Sequence, residues 1–294
     1  MSPTPRHLLL VNPAAGGGRG AKLAPRVERE FKRHRLSYRL VMTTSVAHGR
    51  DQARLAAAAG EIPVVVSGDG LIGQVGGALA GAEVPIGIVP AGRGNDLARV
   101  LGIPSDPEGA VAVVAAGNER SIDVGEANAK RFLGTASCGI DSDANRIANE
   151  ARFVSGRPVY LYAALRALVQ WRPARFRVVL DGTEREVVGY SVVAANSGVY
   201  GGGMLIAPNA ELDDGQLDVV LTGETGKLDF LASLPKVFKG AHLSKDEVEV
   251  VRAAKVEIDA DRPFDVYADG DLLTQLPATI RLLERALRVL APQS

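Results

Sequence analysis

The chain has one cysteine, Cys138, which excludes an internal disulfide and points to a reducing compartment. Its 34 basic and 34 acidic residues cancel, so no overall positive field argues for a nucleic-acid partner. Long apolar runs are also missing. No window approaches the ~18 uncharged apolar residues of a spanning helix, so any membrane contact is expected to be peripheral. The opening MSPTPRHLLLVNP has too short an apolar stretch for a signal peptide, which fits a cytoplasmic protein. Histidines are few, and His7, His34 and His48 have no metal-ligand spacing. What remains is ordinary globular composition: 46% hydrophobic and 23% charged over 294 residues, enough for two cores.

The first 120 or so residues alternate strand-like and helix-like patterns. His7–Val11, Tyr38–Met42, Val64–Val66 and Pro85–Val89 read as strands. Lys22–Arg35, Gly49–Ala59, Ile72–Leu79, Asn95–Leu101 and Pro107–Ala116 read as helices. Strands separated by helices mean βαβ units and a mostly parallel sheet, and such sheets bind ligands at the carboxyl ends of their strands. After Asp123, short strand-like segments between Gly, Asp and Asn turns predict a β-sandwich. They are Lys130–Ala136, Arg175–Asp181, Glu186–Ala195, Gln216–Thr222, Lys255–Asp259 and Phe264–Ala268. Helical inserts are expected near Val159–Gln170 and Leu228–Phe238. The layout is therefore α/β with two domains: residues 1–125, then 126–280, with 281–294 read as helix or strand returning to the first.

Three glycine loops follow strand ends in the first domain. NPAAGGGRG, Asn12–Gly20, has glycines able to wrap phosphate oxygens and an arginine, Arg19, able to bond them. SGDG, Ser67–Gly70, sits between a β-branched run and a helix start. Its glycines admit an anion to backbone N–H groups, and the helix adds its positive end. Asp69 in that turn would repel phosphate unless a cation lay between them; it would equally serve as a helix cap. VPAGRGNDLAR, Val89–Arg99, repeats the arrangement with Asp96 at the helix start.

Taken in order, NP-x-x-G, GDG and G-x-GND resemble the diacylglycerol kinase catalytic family, which includes bacterial lipid kinases and sphingosine and ceramide kinases. The resemblance continues through Ile122-Asp123-Val124-Gly125, Tyr200–Met204 (YGGGM), Ala207-Pro208-Asn209, Asp213–Asp218 (DDGQLD) and Asp269-Gly270-Asp271. It covers essentially the whole chain and is closest to the actinobacterial diacylglycerol kinase-like subgroup. It implies an α/β nucleotide domain followed by a β-sandwich, with the active site in the cleft between them. By the same resemblance, Asn12, Pro13, Gly16, Ser67, Gly68, Asp69, Gly70, Leu71 and Gly73 hold nucleotide phosphates, with Thr43 or Thr44 nearby. Arg93, Gly94 and Asn95 belong to the same nucleotide site. Asp69, Asp96 and Asp123 organise a catalytic magnesium, in keeping with that ion's few protein ligands and retained waters. Glu211, Asp214 and Gln216 hold a structural magnesium, or form a turn of solvated acids. Asp271 is the general base for an acceptor hydroxyl, with Asp69 its rival for that role.

Three departures from the commoner family pattern stand out. Leu71 replaces a threonine, Gln74 removes a carboxylate, and Arg93 replaces a threonine in GTGND. Arg93 either bonds a phosphate or blocks the adenosine side. The expected activity is an ATP- and magnesium-dependent kinase acting on a lipid hydroxyl, diacylglycerol first, at the inner face of the membrane. Alternatives are another alcohol (a sphingoid base, a polyprenol, NAD) or a non-catalytic lipid- or nucleotide-binding regulator. A homodimer is compatible with this reading. Val159–Trp171 reads either as a core helix or as a flank of the lipid entrance, with Tyr162 and Trp171 at headgroup depth. Lys236, Lys239, His242 and Lys245 form a local basic cluster that is either a headgroup contact or a solvated face.

Overall fold

The computed structural model describes residues 6–151 and 158–293. They divide into two compact units. One comprises Met1–Val124, Arg131–Leu133 and Leu283–Ser294; the other comprises Gly125–Lys130 and Gly134–Leu282. Residues 131–133, assigned from sequence to the second domain, thus fall in the first unit.

The first unit runs β1 (His7–Val11), α1 (Ala15–Arg33), β2 (Tyr38–Met42), α2 (Val46–Ala58), β3 (Ile62–Ser67) and α3 (Asp69–Leu79). It continues through β4 (Gly87–Pro90), α4 (Asp96–Val100) and α5 (Pro107–Ala116). Its sheet is fully parallel, in the order β2-β1-β3-β4. Leu8–Val11 and Val64–Val66 are wholly buried, as expected where helices cover both faces of a parallel sheet. Helix α1 contributes Leu23, Ala24, Val27 and Phe31 to this core, a spacing that keeps them on one helical face. Its first turn is broken at Gly16, Gly17 and Gly18, whose φ values are 58°, 71° and 95°. Local signals set the other helix ends. Ser45 Oγ accepts from His48 N at 3.0 Å to start α2. Asp106 caps α5, Pro107 opens it, and left-handed Gly117 closes it. Such caps contribute about 1 kcal/mol each.

Strands β5 (Glu119–Ala127) and β17 (Ala278–Leu290) contribute residues to both units, and β6 (Lys130–Phe132) follows β5. The C-terminal stretch that was ambiguous in sequence is therefore strand. The second unit begins with β7 (Thr135–Gly139), α6 (Ile140–Glu150), α7 (Pro158–Gln170), β8 (Ala174–Leu180) and β9 (Thr183–Ala195). Next come β10 (Val199–Tyr200), β11 (Met204–Leu205), β12 (Leu217–Gly223) and α8 (Lys227–Val237). A 3-10 turn (Ala241–Ser244), β13 (Val248–Ala253), β14 (Lys255–Ala260), β15 (Asp265–Ala268) and β16 (Asp271–Gln275) complete it. Its strands pair antiparallel in the order β16-β15-β7-β9-β8-β14-β17, with β12 on β9 and β13 on β12. Lys130–Ala136, read from sequence as one strand, breaks at Leu133-Gly134 into β6 and β7. Aromatic packing closes part of this core: Trp171 lies over Tyr190 and Phe264, and Tyr190 stacks on Phe230. Burial pushes the Cys138 thiol up to about 12, so it stays protonated and unreactive.

Candidate functional site

In the first unit, β1, β3 and β4 lie in parallel register, with Val11 beside Val66 and Ser67 beside Pro90. The residues that follow each strand therefore emerge at one carboxyl edge, and these are the three glycine loops. Asn12 ties the first loop down. Its Nδ2 donates to Ser67 Oγ at 3.2 Å, and its Oδ1 accepts from Ala14 N at 3.1 Å. Pro13 fixes the chain direction and offers no N–H. A Cβ at Gly16 would fall on Ala91 O, and one at Gly20 would fall on Asn12 O. Only glycine lets these backbones approach so closely. Gly17 and Gly18, by contrast, face open space.

The second and third loops touch backbone to backbone. A Cβ at Gly68 would sit 2.9 Å from Gly92 Cα. Asp69 then reaches across: its Oδ2 accepts from Asn95 N at 2.7 Å and its Oδ1 from Leu97 N at 3.4 Å. Asn95 is left-handed at φ 54°, and its side chain folds back on Gly92, accepting from Gly92 N at 2.8 Å. Asp69 is thus the strut that fixes the GRGND loop against the SGDG turn. Both of its oxygens keep further lone pairs for a metal-bound water. Asp96 follows directly as the first residue of α4, and Arg99 Nη2 donates to Gly94 O at 3.3 Å.

The remaining first-domain candidates are placed unequally. Gly70 and Gly73 lie in the opening turns of α3, with Gly73 buried. Thr43 is buried and its N donates to Val11 O at 2.8 Å, whereas Thr44 is exposed and its N donates to His48 Nδ1 at 3.2 Å. The Leu71 side chain is 4% exposed and fills the space over Gly49, so it belongs to the core rather than to a ligand surface. Arg93 is exposed and has no protein partner among the described residues. Asp123 on β5 is 0% exposed, and its Oδ1 accepts from the N–H of left-handed Arg285 at 2.6 Å.

In the second unit, Ala268 pairs with Asp271 across a two-residue turn, Asp269-Gly270, with φ 52° and 89°. Two left-handed residues are what a tight hairpin requires. Asp269 Oδ1 accepts from Gly134 N at 2.9 Å and anchors the turn. Asp271 is left exposed at the head of β16, and desolvation raises its carboxyl above the usual range.

The DDGQLD segment forms a tight acidic corner. Asp214 Oδ1 accepts from Gln216 N at 2.9 Å, and Asp214 Oδ2 pairs with Arg252. Asp218, inside β12 and opposite Arg252 across the β12–β13 ladder, is 4% exposed and its Oδ2 has no partner. Its carboxyl is raised, first by desolvation; Arg252 opposes the shift, and Asp214 and Glu211 add to it. An orphaned carboxylate oxygen beside Asp214 and Glu211 is the donor chemistry that a hard cation takes. Among the described residues no three His, Cys, Asp or Glu side chains form a ready-made metal cage.

Sequence reasoning missed one further acid. Asp141, in the first turn of α6, is raised to about 6 by burial, with a hydrogen bond from Ser191 opposing the shift. The same charge acts with burial to push the Tyr200 hydroxyl up. The signal in the sequence was only an acid after the β7 glycine, which reads as a helix cap.

Comparison with known proteins follows the same division. Residues 6–127 match the diacylglycerol kinase catalytic domain, and residues 134–291 match the YegS C-terminal NAD kinase beta sandwich-like domain. A diacylglycerol kinase of Mycobacterium tuberculosis is 37% identical over 292 residues, covering 97% of this chain and 94% of that protein. One from Bacillus subtilis is 25% identical over 295 residues, covering 98% and 97%. A crystal structure of a diacylglycerol kinase from Bacillus anthracis superposes with a TM-score of 0.76 at 21% identity, covering 98% of this chain and 97% of that one. That last likeness shows the fold.

Proposed function

The chain belongs to the diacylglycerol kinase catalytic family, and from that premise we propose that it transfers the γ-phosphate of ATP to a lipid hydroxyl, diacylglycerol being converted to phosphatidate. The observation that carries this reading is the Asp69 strut. It locks two glycine loops together at the N-terminus of α3, where backbone N–H groups and the helix end favour anions.

On this reading Asn12, Gly16, Ser67, Gly68 and Gly70 line the phosphates, and Arg93 supplies a positive charge that no group among the described residues claims. Asp69, Asp96 and Asp123 would organise a catalytic magnesium, which when bound would neutralise charge on the phosphate oxygens. Asp271 takes the proton from the acceptor hydroxyl as its oxygen bonds to the γ-phosphorus; the bond to the β-phosphate oxygen breaks and ADP leaves. A carboxyl raised by desolvation suits that task better than Asp69, whose oxygens already accept two backbone N–H groups. Glu211, Asp214 and Asp218 hold a structural magnesium, with Gln216 contributing its backbone to the corner. The protein works as a peripheral protein at the inner face of the membrane. Among the described residues no helix is long and apolar enough to cross a bilayer.

The test is phosphate transfer from radiolabelled ATP with magnesium to diacylglycerol, a sphingoid base, a polyprenol and NAD, the lipids in mixed micelles. Labelled phosphatidate, lost in Asp69→Asn and Asp271→Ala, is the expected result. Label on another acceptor alone would correct the substrate. ATP binding with no transfer to any of them would leave a binding protein and end the kinase reading.

A further inference from the structure

A fourth strand end lies at the same edge as the three glycine loops. β2 pairs with β1 in parallel register, Met42 beside Val11, so the residues after β2 emerge next to the Asn12 loop. Thr43 N extends that contact by donating to Val11 O at 2.8 Å. His48 follows in the first turn of α2, where its own N–H donates to Ser45 Oγ. Its ring is held too. Thr44 N donates to His48 Nδ1 at 3.2 Å, and the Thr44 hydroxyl stands 3.1 Å from the same nitrogen. The turn itself is packed down on the core: a Cβ at Gly49 would stand 2.8 Å from Leu71 Cδ1 and 3.2 Å from Thr43 Cγ2.

These bonds fix the ring's chemistry as well as its place. A backbone N–H can only donate, so Nδ1 is the acceptor and the neutral imidazole carries its proton on Nε2. Tying down the start of α2 uses Nδ1 alone. The Nε2–H has no protein partner among the described residues, and His48 is half-buried rather than turned out to solvent. The fold thus presents one oriented, uncharged donor at the carboxyl edge of the sheet.

Sheet order says what can reach it. In β2-β1-β3-β4, the loops proposed to hold phosphates follow β1 and β3, and Asp69 and Asp96 follow β3 and β4. The γ-phosphate has to lie toward the acids that would organise its magnesium. The nucleoside, at the other end of the triphosphate, then leads toward β2. Two strand spacings, roughly 10 Å, separate β2 from β3, a span suited to the rest of the phosphate chain and the sugar. Ribose hydroxyls and adenine ring nitrogens are uncharged acceptors, the match for a neutral N–H.

We propose that His48 Nε2–H donates to the nucleoside end of bound ATP, so that His48 distinguishes a nucleotide from a bare phosphate chain. The proposal rests on the kinase reading and deepens it on the nucleotide side.

The full chain is titrated calorimetrically with ATP and with inorganic tripolyphosphate, both with magnesium. Two variants separate the two ring nitrogens. An asparagine amide oxygen can stand where Nδ1 stands, and a glutamine amide nitrogen where Nε2 stands. His48→Asn is expected to keep the wild-type urea midpoint while ATP affinity falls about three- to tenfold, the loss of one hydrogen bond. Tripolyphosphate affinity should not move. His48→Gln, which restores the donor, should recover most of the ATP affinity. With dideoxy-ATP, which lacks both ribose hydroxyls, the loss in His48→Asn disappears if the sugar is the acceptor and persists if the base is. ATP binding in His48→Asn equal to the wild type overturns the proposal. So does an equal loss for tripolyphosphate, because the whole loop edge would then have moved. A wild type that binds no ATP overturns this proposal and the kinase reading together. The expected variant pattern in a protein that transfers no phosphate ends the kinase reading alone and leaves the His48 contact standing.

Discussion

The contact between Gly68 and Gly92 allows a sharp test of the loop architecture. In Gly68→Ala the new Cβ would lie 2.9 Å from Gly92 Cα, whereas carbons in contact rest at about 3.5–4.0 Å. Neither partner is a flexible side chain, so the loops must part by roughly 0.6–1.1 Å. That movement lengthens the Asp69 Oδ2 to Asn95 N bond from 2.7 Å to the edge of bonding or beyond. We expect a stability loss of about 1–3 kcal/mol from overpacking, read by urea unfolding. ATP-dependent turnover should fall further than this, on the order of 100-fold, because displaced phosphate-binding groups miss their geometry. Gly17→Ala is the control. It carries left-handed strain of about 1 kcal/mol, but its Cβ meets nothing and the strut stays intact. If Gly68→Ala turned over like the wild type, or if Gly17→Ala lost as much activity, the strut argument would be wrong.

Other consequences can be checked alongside. Asp271→Ala should lower kcat about 100- to 10,000-fold with little change in KM for ATP, measured by steady-state kinetics. Because a base must be ionised and desolvation raises this carboxyl, the wild-type rate should fall on acidification at a higher pH than an ordinary aspartate would give; a pH–rate profile would show that limb, and Asp271→Ala should lack it. Asp141, raised from 3.8 to about 6 in the fold, favours the native state below its unfolded pKa and loses that contribution as pH rises through about 6. With partial exposure discounted, Asp141→Asn should therefore gain about 2 kcal/mol at neutral pH and flatten the stability slope between about pH 4 and 6, by urea titration. Leu71→Thr, restoring the commoner residue, should cost about 2 kcal/mol of stability by leaving space over Gly49, with no gain in ATP affinity by calorimetry.

What could be read from the sequence was whatever had a local cause. β1 and β2 were legible because each is a short apolar run bounded by turn residues, and α5 because Asp106, Pro107 and Gly117 punctuate it. α2 begins three residues before the Ala-rich pattern because Ser45 caps it, and α3 begins at Asp69 although Gly70 follows at once. α6, IDSDANRIANE, was missed because its Asp and Asn residues suggest a loop more strongly than a helix. Long-range partners left no local trace. Nothing near Asp69 announces that its carboxylate will bond Asn95 N, 26 positions away, since that depends on β3 and β4 being neighbours. Asp218 reads as one more acid of a solvated turn, and only its place inside β12, between β9 and β13, buries it.

The departures from the family pattern bear on chemistry through the same geometry. Losing a threonine hydroxyl at position 71 would weaken a site built from side chains. Here the Leu71 side chain points into the core beside Gly49, while the turn presents glycine backbone and a helix end. Phosphoryl transfer asks mainly for positioning and for neutralised charge, and backbone N–H groups provide the first whatever residue follows Gly70. On the proposed reading the second would be supplemented by Arg93, an exposed guanidinium in the loop that Asp69 holds in place. Gln74 lies beyond the first turn of α3, half-buried, where a missing carboxylate removes negative charge near the proposed phosphate site. Two of the three substitutions, at 74 and 93, make the local charge more positive, and the one at 71 leaves the turn's backbone as it is. On the proposed reading, metal organisation would rest on Asp69, Asp96 and Asp123, and the close Gly68–Gly92 approach should matter more to turnover than the identity of residue 71.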